Sequence, residues 1–213
     1  MPTAVKKQAP DDKRTTILEA AVELFAKDGA DGFTLRKIAD ASGFQLGSLY
    51  HFFPEKEKLY EQAVTFAFQR CTDLLVEAVT RVPTNMAPAA RMEKFITVFY
   101  ALFTSDSPYI RLIDREHLAS GSGHVSELVK TVFWQSHQAL NPLVAELSGG
   151  TPLAERELNW RTSFIFSLIY GAAKLHSQHT GMLGLDSAKK QQKFIRELTG
   201  FAIRAICSGH EAI

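Results

Sequence analysis

The sequence has almost no surplus of charge: 24 Lys and Arg stand against 23 Asp and Glu, a net +1. So even a balance gives no global field to attract a polyanion or a membrane surface, and any such site has to be local. Cysteine is scarce too. Cys71 and Cys207 are the only two, far apart and without metal-type spacing, which argues against a disulfide framework and for a reduced, cytosolic protein. Long hydrophobic runs are missing: FITVFYALF at 95–103 is about half of what a bilayer span needs. The opening MPTAVKKQAPDDKR is polar and lacks an apolar signal core, so residues 1–13 are expected to be a flexible tail. These absences point to a cytoplasmic protein with no membrane partner.

Catalytic signatures are absent as well. DREH at 114–117 gathers charge, but neither a nucleophile elbow nor a Gly-rich phosphate loop accompanies it, so these charges read as helix-surface pairs. His176 and His179 stand at i, i+3 with no carboxylate or Cys to complete a metal set. No catalysis, no metal and no cofactor is expected.

Helical periodicity is what the sequence does have. In TTILEAAVELFAKDG the apolar pairs Ile17/Leu18, Ala21/Val22 and Leu24/Phe25 recur at helix spacing before Gly29 stops the run. A short helix LRKIADA can be capped by Thr34 and ends before Gly43, and another short segment covers about 45–52. Longer helices are expected near 55–81, 88–104, 107–119, 124–147, 154–180 and 187–207. No strand alternation and no repeat is visible, so the fold class is all-α.

The stretch 35–52, LRKIADASGFQLGSLYHF, has the parts of a helix-turn-helix. Ala39 is small where two helices cross, Gly43 suits the φ > 0 of a tight turn, and Ile38, Phe44, Leu49 and Phe52 can lock the second helix onto the first. If that second helix reads DNA, its first residues Gln45, Leu46, Gly47 and Ser48 face base edges. Gln can pair with adenine, Ser with several bases, and Leu can touch a thymine methyl. Tyr50 and His51 can reach phosphates while Phe52 and Phe53 turn inward, and Lys56 adds charge at the start of the next helix, where amides already favour an anion. Local charge helps only slightly: over 33–58, Arg36, Lys37, Lys56 and Lys58 outnumber Asp40, Glu55 and Glu57 by one.

Across about 14–60 the sequence resembles the TetR family of bacterial one-component transcriptional regulators: Arg14, ILEAAVELFAKDG, FTLRKIADASGF and GSLYHFFPEKEKLY carry the similarity. The resemblance implies a three-helix DNA-binding domain (14–58) joined through a fourth helix to a larger helical ligand-binding and dimerisation domain (59–213). It also implies that Thr34, Arg36, Gln45, Leu46, Gly47, Ser48, Tyr50, His51 and Lys56 occupy positions that touch DNA. Two residues depart from the family pattern. Gln45 stands where a capping Ser or Thr is common, and Phe52 replaces a frequent His or Tyr.

Two late helices bear on assembly. TSFIFSLIYGAAKL at 162–175 is apolar nearly all round and should be buried on all sides, and the last helix carries a wide apolar face through Phe194, Ile195, Leu198, Phe201, Ala202, Ala205 and Ile206. Packing both against a second copy makes a homodimer. Phe99, Phe103, His117, Trp134, His137 and Phe164 can line an apolar pocket with a few polar groups. The expected function is a homodimeric repressor that binds a palindromic operator in double-stranded DNA and is released by a hydrophobic small-molecule effector. The rival class is a small-molecule-binding helical protein or enzyme without operator activity.

Overall fold

Helices start and stop where the sequence supplies residues for it. A computed structural model describes residues 10–29, 32–118, 123–149 and 153–207; within its helices the side chains at 10, 11, 117, 118, 123–126, 128, 129 and 177–179 lie outside the description. The elements are α1 (Pro10–Asp28), α2 (Leu35–Ser42), α3 (Leu46–Phe52), α4 (Lys56–Thr80), α5 (Pro88–Thr104), α6 (Pro108–Leu118), α7 (Gly123–Leu147), α8 (Glu155–Lys174), α9 (His176–Leu183) and α10 (Ala188–Cys207), with no strand among the described residues. The all-α class is as the periodicity implies. Of the expected tail, residues 1–9 lie outside the described residues, and Pro10 opens α1. Pro at a helix start and Asp11 and Asp12 in its first turn are the residue types that position favours.

The expected helix 154–180 is in fact two. It breaks at Leu175, whose N–H turns back to the carbonyls of Gly171 and Ala173, and α9 then runs on to Gly184. Neither Pro nor Gly stands at 175. The break is held from α5: Lys174 Nζ donates to the Phe103 carbonyl at 3.3 Å, and Tyr100 Oη pairs with His176 Nδ1 at 2.8 Å.

The chain divides into two compact units, one made of the residues up to Arg70 with Asp106–Val129, the other of Cys71–Ser105 with Lys130 onward. The first unit therefore runs past 58 and takes in α6. There α1 packs against α2 and α6, burying Ile17, Val22, Phe25, Ile38, Leu59, Ile110 and Leu112 completely or nearly so. Each such side chain contributes about 1.5–3 kcal/mol on leaving water. In the second unit α5, α8 and α10 pack on one another around Met92, Phe95, Ile96, Phe99, Phe166, Ile169 and Ala202. Its buried polar groups are paired, as burial requires. Arg161 reaches the Ile206 carbonyl, Ser148 and Glu157, and Asn141 bridges Asn159 and Thr162.

Burial of the 162–175 stretch on all sides is not what a single chain shows. Ile165, Phe166, Ile169 and Ala173 face inward, but Phe164 is 68% exposed and Leu168 40%. In one chain α5, α7, α9 and α10 lie against α8 and still leave Phe164 and Leu168 exposed.

Gly29 closes α1 at φ 77°, and a Cβ there would lie 2.3 Å from Arg115 Nη1, whose guanidinium donates to the Phe25 carbonyl. Gly29→Ala is therefore expected to lower stability by about 1–3 kcal/mol through backbone strain and the clash together. Adding Arg115→Ala should recover only the clash. Denaturant melts of the two variants check this, and an unshifted midpoint for Gly29→Ala contradicts it.

Candidate nucleic-acid interface

Thr34 has extended backbone (φ −125°, ψ 151°) and its hydroxyl accepts the Lys37 N–H at 3.2 Å, so it caps α2 as expected. Gly43 ends α2 in the left-handed region at φ 75°, and the next N–H, from Phe44, returns to Ala39 at 3.1 Å. That turn launches α3. Gln45 stands at the N-cap with extended backbone and no side-chain cap bond, so its amide remains available to an outside partner.

Along α3 the burial pattern divides sharply. Leu49 is fully buried, as is Phe53 immediately after the helix. Gln45, Leu46, Gly47, Ser48, Tyr50 and His51 are exposed. Gly47 faces open space, with no atom within 4 Å of where a Cβ would be. Internal packing gives no reason for a glycine that costs roughly 0.5–1 kcal/mol within a helix, whereas close approach to an outside surface does. Phe44 and Phe52 are only half-buried, so Ile38, Leu49 and Phe53 carry the anchoring.

The cations sort in a way the sequence does not reveal. Lys37 is drawn back onto the α1–α2 junction, donating to the Gly32 carbonyl at 3.0 Å and standing 3.5 Å from Asp28. Arg36 is exposed on α2. Lys56 opens α4 with its Nζ 4.2 Å from the centre of the Phe33 ring. Its charge thus sits beside the unsatisfied amides of a helix start, where anions bind. Arg14, in α1, donates to Gln62 and lies over Phe53, a placement that only the fold creates.

The arrangement is a capped helix, a tight glycine turn and a short second helix presenting a solvent-exposed edge. Residues 17–63 match the family of bacterial regulatory proteins known as the tetR family. A helix-turn-helix transcriptional regulator of Bacillus subtilis, YxaF, is 30% identical over 165 residues, covering 77% of this chain and 84% of that one. The chain belongs to the TetR family of transcriptional regulators. The repressor KstR2 of Rhodococcus jostii is 29% identical over 131 residues, 60% of this chain and 63% of the relative. The fold matches that of AibR, solved with isovaleryl coenzyme A and operator DNA, with a TM-score of 0.60 at 19% identity over 89% of this chain and 97% of the other.

In the second unit of this TetR-family chain, the aromatic residues singled out for a ligand divide into two groups. Phe99 and Phe103 stack at 4.4 Å, and Phe99 meets Phe166 edge-on at 5.7 Å. His137 stacks between Phe166 at 4.2 Å and the half-exposed Trp134 at 5.7 Å. Phe166 thus centres the cluster, and Phe164, expected there, does not join it. Residues two positions apart on a helix differ by about 200°, so only one of Phe164 and Phe166 can face inward, and α5 supplies an aromatic surface that takes Phe166. Phe164 points out beside Leu168, along a groove of about 240 Å³ formed with Ala202, Ala205 and Ile206 of α10. The side chain of His117 lies outside the described residues.

Burial pushes the His137 imidazole below its ordinary pKa, partly offset by its Nδ1–H donating to the Phe133 carbonyl at 3.3 Å. With the folded pKa lowered, the unfolded chain binds more protons below about pH 6.5, so stability should fall as pH drops through that value. His137→Phe should lose less melting temperature than the wild type between about pH 7.5 and 5.5. Equal losses in thermal melts would contradict the assignment.

Proposed function

We propose that this regulator is a homodimeric repressor. It binds a palindromic operator by laying α3 of each protomer in a major groove, and a hydrophobic small molecule releases it. The single observation that carries the reading is the exposed edge of α3: Gln45, Leu46, Gly47, Ser48, Tyr50 and His51 all face solvent while Leu49 and Phe53 hold the helix from behind. Gln45, Leu46 and Ser48 read bases, Gly47 allows close approach, and Tyr50, His51, Arg36 and Lys56 meet phosphates. The capping role of Thr34 leaves its hydroxyl at the rim, where it can share a phosphate with the α2 amides. Repression is supported by the relative KstR2, which is named a repressor. The protein acts in the cytoplasm.

Dimerisation is supported by the outward apolar faces of α8 and α10, where Phe164, Leu168 and Phe201 are 68%, 40% and 59% exposed. A two-fold pairing of these faces covers them, and half-sites one turn of DNA apart require two α3 helices about 34–36 Å apart. The effector site is the cluster of Phe99, Phe103, Trp134 and His137 around Phe166, with His137 as its polar group, while Phe164 serves the dimer face. AibR, which was solved with isovaleryl coenzyme A and operator DNA, supports one chain of this fold carrying both a small-molecule site and a DNA site. An effector changes DNA affinity only by favouring one arrangement of the DNA-reading helices. The residues of α4, Lys56–Thr80, run from the first compact unit into the second, which makes α4 the element proposed to carry that change.

The experiment is selection of duplexes from a random pool, followed by titration of variants. Ser48→Ala and Gln45→Ala should change the preferred base by about 1–3 kcal/mol. Tyr50→Ala should weaken all sequences alike, and Lys56→Ala should flatten the salt slope by about one. A protein that binds selected palindromes no better than scrambled DNA refutes operator binding and favours a ligand-binding role alone.

Phe201→Glu places charge in the middle of the proposed dimer face and should give monomers at micromolar concentration, read by sedimentation. A monomeric wild type, or an unchanged dimer in the variant, removes that face from the assembly.

A further inference from the structure

Phe53 is the last anchor of α3 and is fully buried, its N–H closing the helix on the Leu49 carbonyl at 2.8 Å. Beside it stands Arg14, exposed at its α1 position, with Cζ 5.7 Å from the centre of the Phe53 ring. The same guanidinium donates to the side-chain carbonyl of Gln62 on α4. One side chain therefore joins the start of α1, the end of α3 and the second turn of α4. Few other contacts fix how α3 lies: it buries only Leu49 within its own length, and Gln45 gives it no side-chain cap.

We propose that Arg14 is a positioning residue for the recognition helix: it presses Phe53 toward α4 through Gln62 and thereby sets the tilt of α3. This rests on the reading of α3 as the helix that enters DNA. The geometry needs a guanidinium specifically. Its flat face covers a ring while an N–H at its edge meets an amide oxygen, a combination that a lysine ammonium cannot reproduce. A simple phosphate contact would need only the charge.

The test uses the full-length protein and three variants, Arg14→Lys, Arg14→Met and Gln62→Leu, each checked for unchanged helicity. Hydrogen exchange without DNA comes first. Amides of α3 and Phe53 should exchange faster in all three variants, while the middle of α1 stays protected. Titration at several salt concentrations follows, with the selected duplex and a scrambled one. Affinity for the selected duplex should drop roughly tenfold, as when one base pair is poorly met, while scrambled binding and the salt slope stay unchanged. Arg14→Met and Gln62→Leu together should lose no more than the worse of the two alone. The proposal is overturned if Arg14→Lys keeps full selectivity, if Gln62→Leu is silent, or if both duplexes weaken equally with a salt slope reduced by about one, which marks a phosphate contact. If the wild type itself does not discriminate while α3 exchange responds as expected, the clamp stands and it is the DNA reading that fails.

Discussion

A helix of seven residues cannot hold itself in place, because nucleating a helical turn is unfavourable and isolated helices below about 12 residues are marginal in water. The rest of the first unit depends on that constraint. α3 can offer nearly all of its surface to an outside partner only if its few inward groups are gripped completely. Leu49 and Phe53 are gripped by a core that α1, α2 and α4 build from Ile17, Val22, Phe25, Ile38 and Leu59. The Gly43 turn fixes the direction of departure and Thr34 keeps α2 from fraying, so the short helix inherits rigidity from its neighbours.

The second unit follows a different logic. Its interior is a stack of rings, Phe95, Phe99, Phe103, Phe133 and Phe166, with the imidazole of His137 among them. Rings prefer edge-on and offset contacts, and most of these pairs meet in that way. At one end of α8, Arg161 ties Glu157, Ser148 and the Ile206 carbonyl together. That tie holds the end of α10 against α8, so the two outward apolar faces keep a fixed relation.

The helices and the helix-turn-helix were legible in the sequence because their signals are local. Apolar spacing, Thr34 as a cap, Gly43 at a positive φ and Gly29 at a stop act within a few residues of one another. The exposed edge of α3 was legible for the same reason: helix period and the inward demand of Leu49 and Phe53 leave Gln45 to Ser48, Tyr50 and His51 outside. The family match, residues 17–63, contains that edge.

Tertiary structure decided what depends on partners distant in the chain. The break at Leu175 has no local breaker and exists because Tyr100 and Phe103, more than 70 residues away, hold His176 and Lys174. The choice of Phe166 over Phe164 for the interior was made by α5, since an amphipathic pattern that is apolar all round gives no preferred face. The fates of the cations were likewise non-local: Lys37 turned back to Asp28, Lys56 settled over Phe33, and Arg14 joined Gln62. Residue type and spacing determine which segments coil and which faces are apolar. Long side chains reach about as far as the distance between helices, so which of them stays free for a ligand is set only once the helices have packed.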